Sequence, residues 1–178
     1  GFNKEDTENA LIDLDFLGID NLLLLRGDPI KSETYFSAEP DGHKYASELL
    51  VQVNDMNNGL YLDQETVNSS PTDFCIGVAG YAEKHFEAPN IHSDIHFLKK
   101  KVQLGADYIV TQMFFDNQKY FDFVKLCREN DINVPIIPGL KPIATKKHIT
   151  ILPQRFYLNL PEELVIKLLK CKDNNEVR

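Results

Sequence analysis

The sequence predicts an α/β fold, a parallel sheet covered by helices, on three observations. Four short apolar runs, within "NLLLLRGDP", "FCIGVAGY", "DYIVTQMFF" and "VPIIPGL", have the length and composition of buried strands. Each is followed by a segment whose apolar residues recur at helical spacing. Each also ends in polar or conformationally special residues: Arg26-Gly27-Asp28, Tyr81, Thr111-Gln112 and Pro138-Gly139.

Taken in order, Asn3 can cap a first helix whose Ala10, Leu11, Leu14 and Leu17 share one face, with Gly18 as its stop. The leucine run 22–25 is the first strand. Four consecutive leucines present no polar side, so this strand is expected to be covered on both faces. Asp28-Pro29 ends it, because proline has no N–H to donate. A polar loop through Pro40, Asp41 and Gly42 leads to a helix with Tyr45, Leu49 and Val53 at four-residue intervals. Residues 57–73, with paired asparagines, Gly59 and Pro71, read as an excursion containing a short strand at 60–62. The second strand is 74–81. Ser93 is expected to cap the next helix, with Ile95, Leu98 and Val102 inward and Gly105 at its end. Residues 107–115 form the third strand, and a helix over 118–129 turns Tyr120, Val124 and Cys127 inward. The fourth strand is 134–140. A short helix over 146–152 and a last one opening at Pro161, where proline suits the first helical turn, complete the pattern. Residues 172–178 read as frayed.

The chain has 178 residues, 43% hydrophobic and 26% charged, which fits one ordinary soluble globular unit. A formal net charge of −8 and a pI near 5.1 argue against a nucleic-acid or anionic-membrane surface. No apolar stretch approaches the roughly 20 residues of a membrane span. The start, GFNKEDTENA, lacks the pattern of a signal peptide. Cys75, Cys127 and Cys171 are odd in number, widely spaced and without a CxxC, which predicts reduced thiols in a cytoplasmic protein. The histidines form no HExxH, so no metal site is expected.

Two architectures can carry alternating strands and helices. A doubly wound sheet normally shows a GxGxxG turn, and none is present. A (β/α)8 barrel of the TIM type gathers its chemistry at strand ends like these, but needs about 250 residues. The reading is therefore a partial barrel with about four βα units visible. The tripeptide Arg26-Gly27-Asp28 is also an adhesion motif, but adhesion requires a protruding loop and this one leaves a buried strand.

The segments "LLLLRGDP", "VAGYAEKHFEAPN", "DIHFLKKKVQLGADYIVTQMFFD" and "VPIIPGLKPI", in this order and at these spacings, resemble the methylenetetrahydrofolate reductases. The resemblance runs from the opening helix to "LPEEL". It implies a flavin-dependent barrel enzyme of one-carbon and methionine metabolism, in which FAD, reduced by NADH or NADPH, serves the conversion of methylenetetrahydrofolate to methyltetrahydrofolate. It also implies that residues 1–178 are a single segment of that flavin-binding catalytic barrel, lacking N-terminal strands and the C-terminal end. The general-acid glutamate and an arginine for the folate tail would then lie outside this chain. The isolated segment is expected to be inactive, to hold FAD poorly and to form a homo-oligomer. A non-catalytic flavin- or nucleotide-binding barrel module is the alternative.

The resemblance assigns residues as well. Arg26, Gly27 and Asp28 match a flavin-contacting strand end. Arg26 offers planar charged donors, and Gly27, without a Cβ, allows close backbone approach. Asp28 would oppose negative charge on the reduced flavin and contact the folate, which makes it the catalytic residue within this segment. Tyr45 and Ala46 match adenosine-side contacts, although Tyr45 on its own evidence reads equally as a core aromatic. Tyr81, His85 and Ala88 match the next strand end, where the family usually has Tyr-Pro-Glu and this chain has Tyr81-Ala82-Glu83. Asp94 and Lys101, two helical turns apart, match groups that hold the ribose and diphosphate, with Lys100 as a weaker candidate. Gln112 and His148 match substrate-binding positions. The glutamine serves folate and nicotinamide in turn, and the histidine stands where many relatives carry glutamine.

Overall fold

A computed structural model describes residues 2–27, 36–63 and 69–177. The elements run α1 (Lys4–Phe16), β1 (Asn21–Leu24), α2 (Ala46–Asn57), β2 (Cys75–Gly80), α3 (Ile91–Gln103), β3 (Tyr108–Thr111), α4 (Asn117–Glu129), β4 (Ile136–Ile137), α5 (His148–Phe156), α6 (Glu162–Lys170) and α7 (Asn174–Val177). The fold is α/β, with strand and helix alternating as expected. The sheet order is β1-β2-β3-β4, the same as the chain order. A doubly wound sheet reverses its order at a switch point, whereas consecutive strands of a barrel do not. β1 and β2 are parallel, with Leu22 opposite Ile76 and Leu24 opposite Val78. The N–H of Asp107 donates to Ile76 and that of Gln112 to Gly80, so β3 continues the same direction beside β2.

The chain forms two compact units. The first comprises the residues up to Ala79 together with Leu98–Ile109. Its helix α1 is capped as the sequence suggests: the Asn3 side chain accepts from the Asp6 N–H at 2.8 Å, and Gly18 takes a φ of +72° just beyond the end. Leu22 and Leu24 of β1 are buried, as are Leu50, Val53 and Met56 of the adjoining α2. Asn57, the last residue of α2, donates from Nδ2 to the Phe74 carbonyl and accepts from the Phe74 N–H and the Thr72 hydroxyl. One amide thereby fixes where β2 starts. Asp107 accepts the N–H of Ile76 at 2.7 Å, and the Tyr108 hydroxyl crosses Gly77 to donate to the Leu22 carbonyl at 2.8 Å.

Several expectations fail here for local reasons. β1 is buried on one face only: it alternates, and Leu23 and Leu25 are 43% and 54% exposed, because α2 covers a single side of this edge strand. Leu17 lies past the end of α1 and is exposed. The core stripe of α2 is Leu50, Val53 and Met56 rather than Tyr45, Leu49 and Val53. Residues 60–62 form no strand; Tyr61 instead donates its hydroxyl to the Ser70 carbonyl, and Leu62 donates its N–H to Glu8.

The second unit comprises Gly80–Phe97 and the chain from Val110 onward. Its core contains Ile95, Phe114, Phe123, Cys127, Ile132, Leu152, Leu158 and Leu168. Helix α3 is capped by Asn90, whose side-chain oxygen accepts the Ser93 N–H at 2.9 Å, so Ser93 is not the cap. Asp116 caps α4 in the same manner. In α4, Phe123 and Cys127 are buried, while Tyr120 stacks on Phe114 and donates to the Ile136 carbonyl at 2.8 Å. The Thr111 hydroxyl accepts the Gly139 N–H, and a Cβ at residue 139 would stand 2.0 Å from the Thr111 carbonyl oxygen, so this close approach of the segment after β4 to β3 requires glycine. Pro161 stands as the N-cap of α6, one position ahead of its first turn. The segment expected to fray carries a single turn, α7.

Candidate functional site

In the first unit the expected site residues follow β1, open α2 and lie near the end of α3. Arg26 is half-buried, with its guanidinium 5.4 Å from the centre of the Phe36 ring. Gly27 is exposed, and a Cβ there would sit 3.3 Å from the same ring. Asp28 lies outside the described residues. Tyr45 is the N-cap of α2 and is 59% exposed, which removes the core-aromatic reading and leaves a surface ring beside a helix start. The Glu48 carboxylate fixes that start by accepting the N–H groups of Lys44 at 2.7 Å and Tyr45 at 3.4 Å. Ala46 is the first helical residue. Lys101 is half-buried, and its ammonium donates to the Ala79 carbonyl at 2.9 Å, near the C-terminal end of β2. Lys100 is exposed.

In the second unit the segment after β2 gathers four of the expected residues. The His85 N–H donates to Asp94 at 2.8 Å, and the Ala88 N–H donates to the His85 carbonyl at 3.0 Å. The His85 ring meets Tyr81 edge-on at 4.7 Å between centroids. His85 Nδ1 accepts the Glu87 N–H at 3.2 Å, so in the neutral imidazole the proton sits on Nε2, which becomes the donor. Lys84 closes the turn from a positive φ of 114° by donating to the carbonyls of His85 and Ala88. Gln112 joins this end of the sheet through its N–H to Gly80, and its side-chain oxygen accepts the Met113 N–H at 3.2 Å. His148 stands apart as the first residue of α5, with Nδ1 accepting the Ala144 N–H at 3.3 Å.

Sequence reasoning missed the partners this segment has far along the chain. Glu83 accepts from Asn159, and Phe86 stacks on Tyr157 with centroids 4.6 Å apart. The sequence signals were weak: a carboxylate just beyond a strand end, and two aromatics far apart along the chain. Sequence reasoning also gave no hint of a groove of about 1080 Å³ in the first unit, lined by Glu8, His43, Gln52, Asp55 and Tyr61 among others and, among the described residues, by none of the expected site residues. The Gln52 side-chain oxygen is buried there with no hydrogen-bond partner among the described residues, and burial, with help from Lys4 and against Glu48, holds the His43 pKa below its ordinary value of 6.5. Among the described residues no three His, Cys, Asp or Glu side chains stand close enough to hold a metal ion, and no helix is long and apolar enough to cross a membrane.

Parallel strands taken in chain order and alternating with helices define a βα-repeat protein of the α/β class. Residues 2–178 match the family model described as methylenetetrahydrofolate reductase, and the chain belongs to that family. It is 33% identical to "Methylenetetrahydrofolate reductase 2" of Saccharomyces cerevisiae, over 96% of this chain and 26% of that protein. It is 36% identical to "Methylenetetrahydrofolate reductase (NADH) 1" of Arabidopsis thaliana, over 97% of this chain and 28% of the relative. With a Caenorhabditis elegans protein named "Probable methylenetetrahydrofolate reductase (NADPH)" the identity is 31%, over 98% and 24% respectively. The chain thus spans about a quarter of the length of these relatives.

Proposed function

We propose that this chain is a segment of the catalytic barrel of an enzyme that reduces methylenetetrahydrofolate to methyltetrahydrofolate with NADH or NADPH, through FAD, in cytoplasmic one-carbon metabolism. The observation that carries the reading is the family match over residues 2–178. Relatives named for NADH and for NADPH support a nicotinamide dinucleotide as reductant.

The donor set suits FAD. A flavin dinucleotide needs cations for its diphosphate, acceptors for its ribose hydroxyls and an approach without side-chain obstruction for its ring. Arg26 and Lys101, with Lys100 beside it, are the cations. Asp94 spends one carboxylate oxygen on the His85 N–H, and its other oxygen suits a ribose hydroxyl. Gly27 supplies backbone with no side chain of its own, bordered on one side by the Phe36 ring. Tyr81 and His85 offer a ring edge and an Nε2–H, and the exposed Tyr45 ring with Ala46 suits the adenosine side. FAD bound by these residues would supply hydride-transfer chemistry between the dinucleotide and the folate. This chain's own residues bind and orient: Gln112, whose amide both donates and accepts, and His148 are the groups for pterin or carboxamide, and Asp28 contributes a negative charge that opposes charge on the reduced ring.

The test is the colour of the purified full-length protein. Flavin absorbance is expected, and it should weaken in Arg26→Ala and Lys101→Ala. A colourless protein that takes up no added FAD in a titration sinks the assignment.

A further inference from the structure

The segment 81–90 has no regular secondary structure, yet it carries three of the proposed flavin contacts, Tyr81, His85 and Ala88. The bonds among His85, Ala88 and Lys84 shape the turn, and the His85 N–H to Asp94 bond ties it to the first turn of α3. The end of α5 and the stretch that follows it hold the turn at two further points, Phe86 and Glu83. The Asn159 N–H lies 3.2 Å from each oxygen of the Glu83 carboxylate, and its side-chain amide donates to the same group. The Tyr157 ring stacks on Phe86 at 4.6 Å and 17°. From Phe86 the aromatic contacts continue to His85 at 4.7 Å and from His85 to Tyr81 at 4.7 Å, which are the proposed flavin residues themselves.

Tyr157 is the telling residue. It ends α5 in the left-handed region, φ 54° and ψ 36°, where helices ordinarily place glycine because a Cβ there is unfavourable. Core packing does not explain the choice, since Tyr157 is 62% exposed and Phe86 47% exposed. A strained backbone that keeps a large aromatic in place of the easy glycine points to a use for the ring. We propose that Tyr157 and Asn159 are positioning residues: by clamping Phe86 and Glu83 they hold the 81–90 segment so that Tyr81 and His85 meet the flavin. The inference rests on the FAD reading above, and it adds residues that the family resemblance did not assign.

The test uses the full-length protein and its variants Tyr157→Gly, Tyr157→Phe and Asn159→Ala. Three quantities are read: Tm, the Kd for FAD from titration of deflavinated protein, and hydrogen exchange of amides 81–90 without FAD. Tyr157→Gly relieves the left-handed strain, so its Tm should equal or exceed wild type. Its Kd should nevertheless rise about tenfold, the scale of one lost modest contact, and exchange over 81–90 should quicken. Tyr157→Phe keeps the stack and should restore wild-type Kd and exchange. Asn159→Ala should weaken FAD binding and loosen the same amides. Wild-type Kd and exchange in both Tyr157→Gly and Asn159→Ala would overturn the proposal, as would losses that merely follow Tm across the whole protein. If wild type binds no FAD, the flavin reading fails instead, and the exchange of 81–90 still decides whether the clamp exists.

Discussion

Replacing Gly77 with alanine should be among the most damaging single-methyl additions in the first unit. An alanine Cβ at this position would stand 2.3 Å from both Cε2 and Cζ of Tyr108 and 2.7 Å from its hydroxyl oxygen. Carbon atoms in contact sit about 3.5–4.0 Å apart, so the ring must retreat by more than about 1 Å. It cannot do so freely, because its hydroxyl is held by the Leu22 carbonyl at 2.8 Å and its backbone belongs to β3. Overpacking of this kind costs about 1–3 kcal/mol, and losing the hydrogen bond adds about 1 kcal/mol. A destabilisation of about 2–4 kcal/mol follows, a large share of a typical stability of about 5–15 kcal/mol. The control is the same substitution in a Tyr108→Ala background. With the ring gone, alanine in a strand is favoured over glycine by about 0.5–1 kcal/mol, so the sign of the effect should reverse. Urea unfolding followed by circular dichroism for the four proteins of the cycle measures this directly. Equal effects of Gly77→Ala in both backgrounds would refute the reasoning that the ring lies across the glycine.

Further outcomes follow from two titratable groups. Burial pushes the Cys127 thiol from its ordinary 9.0 up to about 11; mass spectrometry after iodoacetamide treatment at pH 8 should find it unmodified in the folded protein and alkylated in urea. Because the folded state holds that proton more tightly, the stability it contributes is complete below pH 9 and is lost as the pH rises toward about 11. The His43 pKa is lowered from 6.5, chiefly by burial. The unfolded chain therefore takes up the proton first, and stability should fall as the pH drops below 6.5. His43→Gln should remove part of that loss; identical acid sensitivity in wild type and variant, by thermal melts at pH 5 and 8, would contradict it.

What the sequence made legible was local. Asn3 as a cap and Gly18 and Gly105 as helix stops depend on backbone chemistry within a few residues, and each occurs where expected, with Gly18 and Gly105 at positive φ. The alternation of strand and helix is equally local and gave the fold class. Which side of an element is covered is not local. α2 offers apolar residues in two overlapping phases, and only the placement of β1 selects Leu50, Val53 and Met56 over the phase through Tyr45. The leucine run looked buried on both faces because composition cannot report that α2 lies against a single face. In the candidate site, Tyr81, His85 and Asp94 were found through a motif, and the structure joins them through the His85 N–H and ring. The partnership of Glu83 with Asn159 spans 76 residues and involves ordinary surface residue types, so nothing in the sequence marks it.

The central claim is that this chain belongs to an FAD-dependent enzyme acting on methylenetetrahydrofolate. Its most direct test is anaerobic stopped-flow absorbance with the FAD-loaded full-length protein. NADH or NADPH should bleach the oxidised flavin spectrum, and subsequent addition of methylenetetrahydrofolate should restore it with formation of one methyltetrahydrofolate per flavin. A protein that holds FAD and is reduced by the dinucleotide, yet whose spectrum does not return with methylenetetrahydrofolate, would contradict the account.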